Sequence, residues 1–282
     1  MAGLDDVEAI AGSPVADRTP MGGGCIAAVY RLTLADGRRL VAKLGEAGSG
    51  LALEGAMLAE LHATDTIPVP AVLHADESLL LMEEVPTGRG LTAAGQAHAA
   101  DLVAALHGVT GPAFGHSYDT VIGGLPQPNP QSERWIPFFA EWRLVDRARR
   151  AVDAGRLPKD LLGRVETLAG RLDRWLTEPA APSLIHGDMW GGNVLGAGDR
   201  VAGFIDPAVY HADPEIELAF TTLFGTFGEP FFRRYQEHRP IPEGFFEQRR
   251  DLYNLYPLLV HVNLFGGSYV GSVERALRQF GC

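Results

Sequence analysis

Apolar residues change their spacing near residue 86. Before it they come in short runs: VYRLTL and RLVAKL flank an Asp36-Gly37 turn, which predicts a β-hairpin. The stretch Gly50 to Leu61 (GLALEGAMLAEL) instead spaces Leu51, Met57, Leu58 and Leu61 as one helical face, and SLLLMEEV reads as another strand. The predicted order is strand, strand, helix, strand, a small β-rich unit over residues 1–86. Beyond Pro86-Thr87-Gly88 the spacing is helical over long stretches: Thr92 to His107 closed by Gly108, Ile136 to Val152, and Lys159 to Leu176. RRDLYNLYPLLVHVNLF predicts one long buried helix and SYVGSVERALRQF a last amphipathic one. Residues 87–282 therefore form a second, mainly helical unit, interrupted by a Gly- and Pro-rich stretch, Gly111 to Pro130, long enough to be functional or mobile. The fold class expected is α+β and bilobal, with a small β-rich N-terminal lobe, a larger helical C-terminal lobe and a cleft near residue 86.

Composition narrows the class. A chain of 282 residues that is 46% hydrophobic can fill a large core or two lobes sharing a cleft. No run of about 18 uncharged apolar residues occurs, and MAGLDDVEAI has acids where a secretory signal has a basic start, so a soluble cytoplasmic protein is expected, with no membrane partner. The two cysteines, Cys25 and Cys282, are too few for a disulfide framework and lack metal-site spacing. A net charge of -11 argues against a nucleic-acid partner and tolerates a cationic substrate better than an anionic one.

Chemistry concentrates in His186-Gly187-Asp188-Met189-Trp190-Gly191-Gly192-Asn193, followed by Phe204-Ile205-Asp206. Phosphoryl transfer needs a carboxylate to orient the attacking hydroxyl and accept its proton, and oxygen ligands to hold Mg²⁺ against the phosphates. Asp188, Asn193 and Asp206 supply these in the H-x-D-x-x-x-x-N spacing of a kinase catalytic loop, Asp206 ending the next apolar strand. A lone HxD would be read as a turn beside a core histidine; the second strand ending in Asp206 makes that reading insufficient. Upstream, Gly22, Gly23, Gly24 and Cys25 precede a strand, where glycines let backbone N–H groups approach ATP phosphates. The run is not the GxxxxGK[ST] pattern. Lys43, an isolated cation in an apolar strand, is either a solvated edge lysine or is held by Glu54 and aimed at the α and β phosphates. Met82, Glu83, Glu84 and Val85 stand where a connector between lobes would offer its backbone to adenine.

The order of glycine run, Lys43, Glu54, connector, HGDMWGGN and IDPA resembles the protein-kinase-like phosphotransferases that act on small molecules, a superfamily shared with the aminoglycoside phosphotransferases. The similarity is greatest to the fructosamine kinase family, which reads HGDLWxGN, a DPAxYYG-like segment, an acid before DLA, an LFGGF-like run and LYxLYHLLNHLNHFGGSY; Asp206 to Tyr210, Glu215 to Ala219, Leu223 to Phe227 and Leu252 to Tyr269 correspond. The resemblance implies ATP- and Mg²⁺-dependent phosphorylation of a ketoamine, the sugar adduct of an amine or protein lysine, on a sugar hydroxyl, after which the adduct falls apart. It implies Asp188 as base, Asn193 and Asp206 as metal ligands, and Lys43 with Glu54 as phosphate clamp; Trp190, Asp213, Glu215 and His261 are the candidates for the substrate side. Trp190 would offer a flat face to the sugar, unless it is core, and Asp213 would attract an amine if it lies near the site. Departures from the family pattern, Ala27, Leu264 and His211-Ala212-Asp213-Pro214, bear on substrate identity more than on catalysis. Cys25 among amide donors would be oxidation-prone and could link two chains, or is a small buried residue. The rival readings are another hydroxyl kinase of the superfamily, such as one for aminoglycosides, and a nucleotide-binding module without turnover, which intact Lys43, Asp188, Asn193 and Asp206 disfavour.

Overall fold

The computed structural model describes residues 4–22, 27–46, 48–88 and 90–282. The N-terminal part is a five-stranded antiparallel sheet in the order β1-β2-β3-β5-β4, formed by β1 (Val15–Met21), β2 (Ala28–Leu34), β3 (Arg39–Leu44), β4 (Val72–Ala75) and β5 (Leu79–Glu83). Helix α1 (Leu4–Ala11) covers one face and α2 (Leu51–Ala63) the other. The alternation of strand side chains explains the apolar runs. Leu79 and Leu81 of β5 join Leu40, Ala42 and Val7 on the α1 side, while Leu80 and Met82 join Leu51 and Leu58 on the α2 side. Lys43 shares parity with Val41 and so faces α2, the helix that carries Glu54.

Hairpin β2–β3, α2 and β5 form where their patterns predict them. Three further elements had no readable signal. Strand β1 has five exposed residues of seven and contains Pro20, a residue that sheets accept at their edges, where β1 lies; Arg18 stacks 3.5 Å over the Tyr30 ring of β2. Strand β4 is four residues long, and α1 is a two-turn helix whose buried side chains, Val7 and Ala11, have meaning only against the sheet.

The C-terminal part is mainly helical around one large core. Helix α3 (Ala93–Leu106) is capped by Thr92, whose hydroxyl accepts the Gly95 N–H. Helices α4 (Trp135–Phe138) and α5 (Asp146–Asp153) are joined by a π-wound stretch, Phe139–Val145, and α6 (Lys159–Ala169) follows. Short antiparallel ribbons punctuate the helices: β6 (Thr120–Ile122) with β7 (Leu125–Gln127), β8 (Ser183–Ile185) with β11 (Tyr210–Ala212), and β9 (Val194–Gly196) with β10 (Val201–Phe204). The remaining helices are α7 (Pro214–Leu223), α8 (Glu229–His238), α9 (Arg250–Tyr253), α10 (Leu255–Phe265) and α11 (Val270–Gln279). No described helix is long and apolar enough to cross a membrane.

Two expectations are corrected here. The long C-terminal helix is broken at Asn254 into α9 and α10: Pro257 has no N–H to bond the Tyr253 carbonyl, so the ladder lapses one turn before it. The Gly111 to Pro130 stretch is not merely loop. Gly123 and Gly124, at φ 53° and 74°, make the two-residue turn of the β6–β7 hairpin, a conformation that favours glycine.

Candidate active site

Two loops carry the acids, one leaving β8 and one leaving β10, and backbone bonds fasten them together. Ala208 N–H donates to His186 O at 2.8 Å and Ile205 N–H to Asn193 O at 3.1 Å. Gly187 has φ +84°, and a Cβ there would stand 2.0 Å from Ala208 O, so only glycine allows this approach. Buried His186 accepts the Asp188 N–H at Nδ1 (3.3 Å); its proton therefore sits on Nε2, which donates to Ile205 O at 3.1 Å. Burial lowers its pKa, in keeping with a neutral tether between the loops.

Asp188 and Asp206 thereby face one cleft. Asn193 Nδ2 donates to Asp188 Oδ2 (3.0 Å) and Asp188 O (2.9 Å) and approaches Asp206 O at 3.4 Å. Its amide nitrogen is thus spent on oxygens and its amide oxygen is left for a ligand. Asp206 adopts a left-handed backbone, φ +54°, which turns its carboxylate toward Lys43. Lys43 Nζ lies 2.7 Å from Glu54 Oε1 and 2.5 Å from Asp206 Oδ1. Burial opposes the ammonium charge, but the two carboxylates outweigh it and hold Lys43 above its usual pKa. Burial, then the Asp206 charge, push the Asp188 carboxyl up to about 7.

A support that the sequence did not reveal lies behind the loop. Glu217, on α7, is buried: its Oε1 accepts the Gly187 N–H at 2.6 Å, and its Oε2 lies 2.9 Å from His107 Nε2 on the C-cap of α3. His107 Nδ1 reaches the Tyr235 hydroxyl at 2.7 Å. Burial works against the Glu217 charge, but the bonds from His107 and Gly187 prevail and keep its pKa below the usual carboxylate range. Residues 107, 217 and 235 have no common spacing, and only the tertiary fold makes them neighbours.

The far side of the cleft is apolar. The β6–β7 turn, Phe220 of α7 and Pro257, Val260, His261 and Leu264 of α10 line it, and Trp190 stands at its mouth. Trp190 is 42% exposed and so is not core. His261 Nδ1 donates to Pro257 O at 2.7 Å, which leaves Nε2 as an acceptor, and burial lowers the ring's pKa.

Not every candidate comes to this cleft. Asp213 is the N-cap of α7, bonded to the Glu215 N–H and the Tyr253 hydroxyl, and Glu215 forms a bidentate pair with Arg249. Both are buried by these partners and neither lines the cleft, so the expectation that they meet the substrate is corrected. Met82 packs its side chain under α2, and the Glu83 and Glu84 N–H groups already donate to Ala71 O and Arg39 O. Glu84 also pairs with Arg31 at 2.5 Å, so it anchors the connector to the sheet, while Val85 packs on Gly203. Gly22 lies in the bend after β1; Gly23, Gly24 and Cys25 lie outside the described residues, and with them the idea of a redox-linked dimer.

The model of the family described as fructosamine kinase matches residues 6–280. The chain belongs to the fructosamine kinase family. A probable ketoamine kinase of Synechocystis sp. is 38% identical over 278 residues, covering 94% of this chain and 90% of that one. A crystal structure of a fructosamine-3-kinase candidate from Thermobifida fusca superposes with a TM-score of 0.88 at 34% identity, over 98% of this chain and 97% of the other. An aminoglycoside phosphotransferase bound to gentamicin shares the fold alone, with a TM-score of 0.67 at 13% identity over 99% and 97% of the two chains. This member of the fructosamine kinase family is thus an ATP-dependent small-molecule kinase with the protein-kinase-like fold.

Proposed function

We propose that this kinase transfers the γ-phosphoryl group of Mg-ATP to a sugar hydroxyl of a ketoamine, as the first step in removing sugars from amines. The observation that carries this reading is the joining, in one cleft, of Asp188, Asn193, Asp206 and Lys43 to an apolar acceptor side with an exposed indole at its mouth. The curated relatives named as probable ketoamine kinases support the same substrate class.

Asp188 orients the acceptor hydroxyl and takes its proton. Lys43, held by Glu54, meets the α and β phosphates. The free amide oxygen of Asn193 and the carboxylate of Asp206 are hard oxygen donors that fit Mg²⁺, which takes few protein ligands when phosphates complete its shell. When bound, the ion supplies charge neutralisation along the phosphates. The Val85 N–H is the connector amide after Glu83 and Glu84 with no bond among the described residues, and is assigned to the adenine edge. The lobe boundary is placed near Pro86, where the sheet gives way to helices. Trp190 covers the sugar ring and His261 lines the acceptor side beside it.

An aminoglycoside acceptor fits less well. Such a polycation needs carboxylates, and the acids lining the cleft among the described residues, Glu54, Asp188 and Asp206, all belong to the phosphate end. ATP consumption is to be measured with Mg²⁺ against fructosyl-lysine, ribosyl-lysine, a free ketose, choline and an aminoglycoside, with Asp188→Ala as blank. Turnover confined to ketoamines supports the reading; turnover on another acceptor alone overturns it.

A further inference from the structure

Beside the acceptor side of the cleft, the described surface concentrates its exposed aromatic rings in one place. Trp190, Phe224 and Phe265 are 42%, 41% and 53% exposed, and they account for three of the five large apolar side chains exposed among the described residues. They form a continuous chain of rings around His261. Trp190 meets Phe224 edge-on with centroids 6.4 Å apart, Phe224 lies 4.9 Å from His261, and His261 lies 5.6 Å from Phe265 and 4.9 Å from Tyr269. Phe265 and Tyr269 close the arc at 6.1 Å. Leaving this much aromatic surface in water is unfavourable unless a ligand covers it.

We propose that Phe224, Phe265 and Tyr269, with Trp190 and His261, form an aromatic box that holds the positively charged amine of the acceptor and so selects ketoamines over neutral sugars. The assignment rests on the ketoamine reading above. With the sugar hydroxyl at Asp188 and the ring against Trp190, the amine, bonded to the sugar's first carbon, emerges at the mouth of the cleft. A secondary amine there is an alkylammonium at neutral pH. Among the described residues the mouth offers it no carboxylate, because Asp213 and Glu215 are turned into the interior and paired, while the lining acids sit at the phosphate end. What the mouth does offer is the negative faces of several rings and the lone pair of His261 Nε2, whose other nitrogen is committed to Pro257 O. A cation is thus held without a countercharge.

The test compares two acceptors of identical length, a 1-alkylamino ketose and the 1-O-alkyl ether in which oxygen replaces the nitrogen. KM and kcat are measured for the wild type and for Phe224→Leu, Phe265→Leu and Phe265→Tyr. The wild type should show a KM for the amine roughly ten-fold below that for the ether, the range that cation–π contacts give in a partly desolvated site. Each leucine variant should raise the amine KM about five-fold while leaving kcat, the KM for ATP and the ether KM in place, and Phe265→Tyr, which keeps the ring face, should keep the amine KM. Equal wild-type KM values for amine and ether, leucine variants that weaken both acceptors alike, or leucine variants that change nothing would each overturn the box. No turnover of any ketoamine by the wild type would overturn the ketoamine reading itself, and the box with it.

Discussion

Truncating Glu217 to alanine tests whether the buried acid positions the catalytic loop or merely fills space. Two partners lose their acceptor: the Gly187 N–H at 2.6 Å and His107 Nε2 at 2.9 Å, both buried. A buried donor left unpaired costs about 1–3 kcal/mol, so the pair amounts to roughly 4 kcal/mol. That is less than the stability of most domains of this size, and a fold that survives should melt about 10 °C lower. The kinetic effect is separate. Gly187 precedes Asp188 directly, so release of its N–H lets the proposed base drift, and a misplacement of about 1 Å costs on the order of 100-fold in turnover. Thermal melts read the first effect, and steady-state ATP consumption, at a temperature where circular dichroism shows the variant folded, reads the second. Glu217→Gln retains an oxygen for Gly187 and should recover at least half of each loss. A Glu217→Ala protein that melts 10 °C lower yet keeps kcat within three-fold of wild type would refute the positioning role; one unchanged in both would refute the energetics as well.

Asp188→Ala should lose at least 1000-fold in kcat while ATP still binds, whereas Asp206→Ala should also weaken Mg-ATP binding, as calorimetry with a non-hydrolysable nucleotide would show; equal nucleotide affinities in the two variants would contradict the assigned roles. Gly187→Ala places a Cβ against Ala208 O at 2.0 Å and forces a left-handed alanine, so kcat should drop about 100-fold in a protein that stays folded, and activity within ten-fold of wild type would show that the loops separate freely. Asp213 has its pKa raised to about 7 by burial and then by Glu215, so the folded state holds this proton more tightly than the unfolded chain does, and stability from this group falls as pH rises from about 4 to 7. Asp213→Asn keeps the N-cap acceptor and should flatten that dependence by up to about 4 kcal/mol between pH 4 and 8 in urea melts; parallel pH profiles for the two proteins would count against the buried acid.

Local pattern was sufficient for much of this protein. The β2–β3 hairpin, α2, β5 and α3 follow from the period of their apolar residues, because those residues bury the face that the period defines, whereas the helix expected from Lys159 to Leu176 ends at Ala169. The spacing from His186 to Asn193, and Asp206 at the end of a strand, were legible because phosphoryl transfer demands a base and oxygen ligands at short, regular intervals. Other features existed only once the chain had folded. Strand β1 owes its existence to an edge waiting beside β2, and α1 to the sheet face it covers. Asp213 and Glu215 read as substrate residues by their place in the chain, yet the register of α7 turns them inward to Tyr253 and Arg249. The same helix sends Glu217 to the loop amide and brings Phe224, from its C-cap, to the aromatic mouth. Sequence by itself determined which chemistry the chain carries, since that depends on residue type and close spacing. Tertiary structure decided which acids support the loop and what surrounds the acceptor, because contacts such as Gly187–Glu217 and His107–Tyr235 join residues 30 and 128 positions apart, whose meeting no local pattern records.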